Sequence, residues 1–251
     1  MMAAAVLLRV DSLYKNFGGI LAISDLSFEL AEGELLGLIG PNGSGKTTAV
    51  NLITGFVKPS GGSVIYRGRN ITGLAAHAVV RLGISRTFQM VKPFYQLPAY
   101  KNMIIPLYSP RVKQLAGGRY GDRDAVALDL LEEVGFERDA QVAYKSAAVL
   151  PQGYLKRLEL AKAMALKPDL IILDELFSGL SLAEVASIVP IIEKLRKEGK
   201  TIIMIEHRLK ELFRIADRVV VLNFGQKIAE GRAEEVMASE NVKKAYLGVE
   251  S

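Results

Sequence analysis

Residues 40–48 read Gly40-Pro41-Asn42-Gly43-Ser44-Gly45-Lys46-Thr47-Thr48. A glycine, four residues and then Gly-Lys-Thr is the spacing of a phosphate-binding P-loop. The apolar run Leu35–Ile39 precedes it and Ala49–Ile53 follows, which predicts the strand, tight turn and helix that such a loop requires. Gly40, Gly43 and Gly45 let the backbone curl so that successive N–H groups face a phosphate. The helix beginning near Lys46 adds the positive end of its dipole. In this reading Lys46 reaches the outer phosphates and the Thr47 hydroxyl completes a Mg²⁺ shell. One hydroxyl suffices, because Mg²⁺ is held by few protein ligands together with phosphates and waters.

Such a site needs a carboxylate from a second buried strand. Leu170-Ile171-Ile172-Leu173-Asp174-Glu175 supplies it: a short apolar run reads as a parallel strand buried on both faces, and ligands sit at the carboxyl ends of such strands. Asp174 is expected to hold Mg²⁺ through water. Glu175, pointing the other way from the strand, is expected to polarise the attacking water. Phosphoryl transfer asks a protein chiefly for positioning and charge neutralisation, so this small set is enough. A third run, Thr201-Ile202-Ile203-Met204-Ile205, ends in Glu206-His207. The chain has two histidines; an imidazole at this strand end can hydrogen-bond the γ-phosphate or the attacking water. The other, His77, has no partner in its segment and is read as structural.

Taken together, these motifs resemble those of an ATP-binding-cassette (ABC) ATPase over nearly the whole chain. Gly40–Thr48 matches the Walker A motif, Leu170–Glu175 the Walker B motif with its catalytic glutamate, and His207 the H-loop. Gln89, in Ser85-Arg86-Thr87-Phe88-Gln89, stands where the family has its Q-loop glutamine, beside the metal and the γ-phosphate. Phe17, in Tyr14-Lys15-Asn16-Phe17-Gly18, stands where an aromatic ring stacks on adenine.

The signature departs from the family's Leu-Ser-Gly-Gly-Gln. Here the chain reads Leu150-Pro151-Gln152-Gly153-Tyr154, followed by a helical pattern with cations between apolar residues. Pro151 suits a first helical position, but the serine hydroxyl that the family directs at the partner's γ-phosphate is missing. Gly153 and the helix N-terminus remain to hold that anion, and the lost hydrogen bond weakens the site by about 2 kcal/mol. Leu176 replaces a usual proline, and Ser178-Gly179-Leu180-Ser181 lacks a usual aspartate. These features, Ile205–Leu209 and the tail Gly225–Gly231 with Ala245-Tyr246-Leu247-Gly248 resemble the branched-chain amino acid importers. The ATPase of lipopolysaccharide export has a similar tail.

The resemblance implies a RecA-like α/β P-loop core with an antiparallel β subdomain and an inserted helical subdomain. The core is expected at about 1–90 and 156–251, with the lobe at about 91–155. Strands are read at Val6–Val10, Leu26–Leu30 and near 62–68. Four prolines at 93, 98, 106 and 110 interrupt the start of the lobe, residues 117–122 read as a mobile basic loop, and Ala125–Val134 resumes helical periodicity. Pro93–Tyr95 and Met103–Tyr108 either receive a partner helix or form the lobe's own core.

Two such subunits are expected to sandwich two ATP molecules, each between one chain's P-loop and the other's signature. The second ATPase is the same chain or, given the altered signature, an unlike one. Transmembrane permease subunits are the other direct partners, and a substrate-binding protein acts indirectly. The expected place is the cytoplasm, peripheral on the inner face of the cell membrane. With no cysteine among 251 residues, disulfide and thiolate chemistry are excluded. Half the residues are hydrophobic and the mean hydropathy is +0.22, yet no apolar run reaches the length that spans a bilayer, and no signal peptide is read. The net charge of +5 is spread along amphipathic helices as a solvated face, and no nucleic-acid partner is expected. A soluble cassette acting on nucleic acid or the ribosome would carry two cassettes or long inserted arms, and neither is visible. A small-molecule P-loop kinase would need a lid of arginines and no helix at 150–166.

Overall fold

The computed structural model describes residues 5–117, 121–137 and 141–247. Part of the basic loop, residues 118–120, and Gly248 of the tail lie outside the described residues. In chain order the elements are β1 (Val6–Phe17), β2 (Ile20–Ala31), β3 (Leu35–Ile39), α1 (Lys46–Ile53), β4 (Gly61–Tyr66), β5 (Arg69–Asn70), α2 (Ala76–Leu82) and β6 (Ile84–Arg86). Then come α3 (Ile104–Leu107), α4 (Pro110–Leu115), α5 (Arg123–Glu133), α6 (Gln152–Ala165), β7 (Leu170–Asp174), α7 (Leu182–Lys197) and β8 (Thr201–Ile205). Last are α8 (Leu209–Ile215), β9 (Arg218–Asn223), β10 (Gln226–Gly231), α9 (Ala233–Ala238) and α10 (Glu240–Leu247).

Among the described residues the strands form two sheets, one ordered β2-β1-β4-β5 and the other β10-β9-β3-β8-β7-β6. The first is antiparallel throughout. In the second, β9, β3, β8, β7 and β6 run parallel, and only β10 pairs antiparallel. Every residue of β3, β7 and β8 is buried, as continuous apolar runs in a parallel sheet require. Alternation divides them between two cores. Leu35, Ile171, Leu173, Ile202 and Met204 face α6, α7 and α8. Leu36, Leu38, Ile172, Ile203 and Ile205 face α1 and the antiparallel sheet.

β1 and β2 are longer than the sequence suggested. Their pairing continues past Val10 through register shifts, with Ser12 at φ 46° and Asp25 at φ 53°; such bulges absorb the polar positions that break the alternation. Met103 and Leu107 are buried in the helical segment, whereas Phe94, Tyr95, Ile105 and Tyr108 are exposed. Met103 and Leu107 thus belong to the lobe's own core, and the exposed side chains do not. Among the described residues no helix is long and apolar enough to cross a membrane.

Candidate functional site

β3 delivers the chain to the P-loop, and the loop's shape follows from its contacts. Gly40 has φ 149°, and a Cβ there would stand 2.1 Å from the Leu222 carbonyl oxygen on β9, so no other residue fits. At Gly43, φ 77°, a Cβ would meet nothing within 4 Å; this is the open side of the loop. The loop is tied down by the Gly225 N–H donating to the Ser44 carbonyl at 2.9 Å. Lys46, 6% exposed, folds back across the loop and donates to the carbonyls of Gly40 (2.8 Å) and Pro41 (2.9 Å). Burial pushes its pKa down, opposed by the carboxylates of Glu175 and Asp174.

Those carboxylates come from the end of β7. Asp174 is buried; its Oδ2 pairs with Arg86 Nη2 at 2.5 Å, and its N–H donates to Thr87 Oγ1 at 3.0 Å. Arg86 Nη1 in turn donates to Asn51 Oδ1 of α1 at 2.5 Å, and its guanidinium lies 5.1 Å from the Phe88 ring centroid. Asp174 Oδ1 is buried and, among the described residues, without a hydrogen-bond partner.

Glu175 departs from the expected geometry. The strand ends at Asp174, and Glu175 sits in the left-handed region at φ 50°, so its direction is set by a turn rather than by strand alternation. Both carboxylates act on Lys46. For a non-glycine residue this conformation costs about 1–3 kcal/mol and persists where surrounding bonds hold it. Here the Glu175 N–H donates to the Ile205 carbonyl at 2.9 Å, and its own carbonyl accepts from Lys156 Nζ at 3.0 Å. The carboxylate lies between two side chains: Gln89 Nε2 donates to Oε2 at 2.7 Å, and His207 Nε2 lies 3.0 Å from Oε1.

The structure thus brings Lys46, Asp174, Glu175, Gln89 and His207 together from four separate segments. Thr47 lines the same groove as Gln89 and Asp174. Phe17, at the end of β1, is 45% exposed with Lys15 Nζ 4.8 Å above its ring. Gly153 stands apart, in the first turn of α6, where a Cβ would meet Glu184 Oε1 of α7 at 2.4 Å. Pro151 is the N-cap of α6, at ψ 156°, one residue before the expected first helical position. Asn42 is exposed and Thr48 half-buried.

Arg86, Asn51, Lys156 and Glu206 complete the site and were not legible as functional. Arg86 and Asn51 find their partners 88 and 35 residues away, and no local pattern announces such a pair. Lys156 is an exception to the reading of the helix cations as a solvated face: it is 1% exposed, and burial pushes its pKa down, opposed by Glu206 and Glu175. Glu206, also buried, accepts from the Phe177 N–H at 2.8 Å. Burial pushes its carboxyl up to about 8, against the Phe177 bond and the Lys156 charge.

For Mg²⁺ the donor set fits. Asp174 offers a buried oxygen with no other partner, Thr47 and Gln89 stand beside it, and the P-loop is open at Gly43. Among the described residues no cluster of three or more His, Cys, Asp or Glu makes a self-contained cage, which suits an ion completed by phosphate oxygens.

Comparison with known proteins bears on the family and the fold. The family model described as ABC transporter matches residues 23–178, and that of the branched-chain amino acid ATP-binding cassette transporter matches residues 226–251. The high-affinity branched-chain amino acid transport ATP-binding protein LivG of Salmonella typhimurium is 37% identical over 252 residues, covering 96% of this chain and 98% of its own. The lipopolysaccharide export system ATP-binding protein LptB of Escherichia coli is 33% identical over 241 residues, covering 96% and 97%. The crystal structure of a nucleotide-free ATP-binding cassette from an ABC transporter superposes with a TM-score of 0.87 at 28% identity, covering 98% of this chain and all of that one.

Proposed function

The chain belongs to the ABC transporter family as an ATPase whose hydrolysis is coupled to transport, and from that premise we propose that it powers import of branched-chain amino acids through membrane permeases. The C-terminal match at 226–251 and the higher identity to LivG than to LptB favour import over lipopolysaccharide export.

In this reading the phosphates of ATP take the concave side of Gly40–Thr48 and the adenine stacks on Phe17. Lys46 leaves the Gly40 and Pro41 carbonyls for the outer phosphates, an exchange of neutral acceptors for charged ones. Thr47, Asp174 and Gln89 hold Mg²⁺, which when bound neutralises charge on the phosphates. Glu175 orients the attacking water and takes its proton. His207 bonds the γ-phosphate and keeps the Glu175 carboxylate in place. Gln89 and His207 both contact Glu175 already, and in this reading the Gln89 contact loosens as the water enters. That exchange links the hydrolytic residue to the segment that follows Gln89.

The groove of ≈ 950 Å³ that begins at Thr47 and Asp174 runs past this segment and opens between α2, α6 and the stretch carrying Ile105 and Tyr108, and a permease segment would dock at that outer end. A second ATPase subunit would close each site by its signature. With Pro151 in place of serine, an unlike subunit with an intact signature makes the better partner for this chain's P-loop. A substrate-binding protein would act only through the permease, and the working position is the inner face of the membrane.

The observation that carries the reading is the Glu175 carboxylate held between Gln89 and His207 beside Lys46. Replacing Glu175 with Gln keeps the shape of the side chain and removes the base. The expected result is ATP affinity within about twofold of wild type and turnover lowered at least a hundredfold, the scale of a lost general base. Turnover near wild type in Glu175→Gln would remove Glu175 from the chemistry.

A further inference from the structure

Lys156 lies one turn past Gln152 on α6 and is 1% exposed. Its Nζ donates to the main-chain carbonyl of Gln89 at 2.9 Å and to that of Glu175 at 3.0 Å. These are the two residues whose side chains meet at 2.7 Å. One ammonium therefore holds both backbones of a contact whose side chains close it from the other side. Burying a charge on two neutral acceptors is costly compared with an apolar residue of the same length, so simple filling of space does not account for a lysine here. The Glu175 N–H is already committed to Ile205, and its carbonyl accepts from the Ser178 N–H at 3.1 Å as well as from the lysine; among the described residues, Lys156 alone joins this residue, in the left-handed conformation, to the Gln89 backbone.

The far end of the connection is the start of α6. Gln152 lies 3.9 Å from the Cβ position of Gly179, and Gly153 packs on Glu184. The first turn of α6 is thus keyed to the segment that follows Glu175, and Lys156 is keyed to Glu175 itself. We propose that Lys156 is a positioning residue for ATP hydrolysis, a strut through which movement of the α6 N-terminus shifts Gln89 and Glu175 together. This rests on the assignment of Gln89 and Glu175 to hydrolysis. It adds that the loop at Leu150–Tyr154, which in the proposed pair faces ATP bound by the second subunit, also adjusts the hydrolytic residues of its own chain. No covalent step is involved; the lysine holds two carbonyls and does not touch the nucleotide.

The test uses the full-length chain with Lys156→Met, which keeps length and removes the donors, and Lys156→Gln, which keeps two N–H donors. ATP affinity, kcat and KM are measured, together with hydrogen exchange of residues 86–92 with and without ATP. Lys156→Met is expected to hold ATP within about twofold of wild type while kcat falls at least tenfold, and to lose the ATP-dependent change in exchange at 86–92. Lys156→Gln is expected to recover at least a third of the rate. Wild-type turnover in Lys156→Met overturns the proposal, as does equal loss of affinity and rate with no recovery in Lys156→Gln. Should Lys156→Met not fold, the pair Lys156→Gln and Gln89→Ala decides. A double variant no slower than the slower single variant supports the strut, and additive losses overturn it. Glu175→Gln run alongside separates the two assignments: if it hydrolyses normally the hydrolytic reading itself fails, whereas its inactivity with an indifferent Lys156 removes only the strut.

Discussion

At the scale of single residues, the floor of the site is built from buried charges that few water molecules reach. Glu206 ends the run after β8, 3% exposed, faced by Lys156, by Glu175 and by the N–H groups of Phe177 and His207. Burial raises its carboxyl from an ordinary 4.5 to about 8. Between those two values the folded chain holds a proton here that the unfolded chain has released. The contribution of this group to stability is complete below pH 4.5 and is lost as pH rises through about 8, with a slope of up to about 1.4 kcal/mol per pH unit. Glu206→Gln keeps an acceptor for Phe177 and abolishes the titration. Urea midpoints measured between pH 5 and 8 are expected to fall less steeply in Glu206→Gln than in the wild type; parallel curves would refute the shifted carboxyl. None of this was readable from Ile205-Glu206-His207, where a strand-end acid next to an expected functional histidine looks solvated. Its burial depends on Lys156 and Phe177, which arrive from other elements.

At the scale of elements, helix α7 follows Glu175 and carries the first-turn box that Gly153 packs on. Ser181 caps it, Glu184 returns a bond to the cap, and Lys194, Arg196 and Lys197 occupy the last turn, favourable for its dipole. Pro190 is the exception, an exposed proline inside the helix whose missing N–H leaves the carbonyl four residues earlier without its helical partner. Such a proline costs about 3 kcal/mol relative to alanine in an unstrained helix. Pro190→Ala is expected to raise stability by about 1–3 kcal/mol, measured by denaturant unfolding. A loss of stability would show instead that the proline's restriction of the unfolded chain outweighs the missing helical bond. The elements that were easiest to read are those buried on both faces. Leu35–Ile39 and Thr201–Ile205 match β3 and β8 end to end, because two-sided burial demands an unbroken apolar run. β1 and β2 were read short because their outer halves pair through bulges around polar residues.

At the scale of the whole molecule, the proposed pairing of two cassettes over ATP makes the altered signature testable. The N-cap geometry of Pro151 is one that serine adopts readily, and serine would add a hydroxyl for the facing phosphate. In the Glu175→Gln background, Pro151→Ser is expected to strengthen ATP-dependent self-association by about a thousandfold, equivalent to about 4 kcal/mol because a pair of identical chains closes two such sites, as read by light scattering across a concentration series. Unchanged association would mean that position 151 does not face the nucleotide. The phosphate loop, the Asp174–Glu175 strand end and the His207 strand end were determined by the sequence alone. Each is a local pattern in which residue type and spacing are imposed by backbone geometry or by two-sided burial. Only the tertiary structure decided that Glu175 turns into a left-handed conformation, that Arg86 claims Asp174, and that Lys156 leaves the polar face of its helix for two buried carbonyls. Those outcomes depend on partners 19 to 88 residues away, and side-chain periodicity within one element carries no information about a contact made across several.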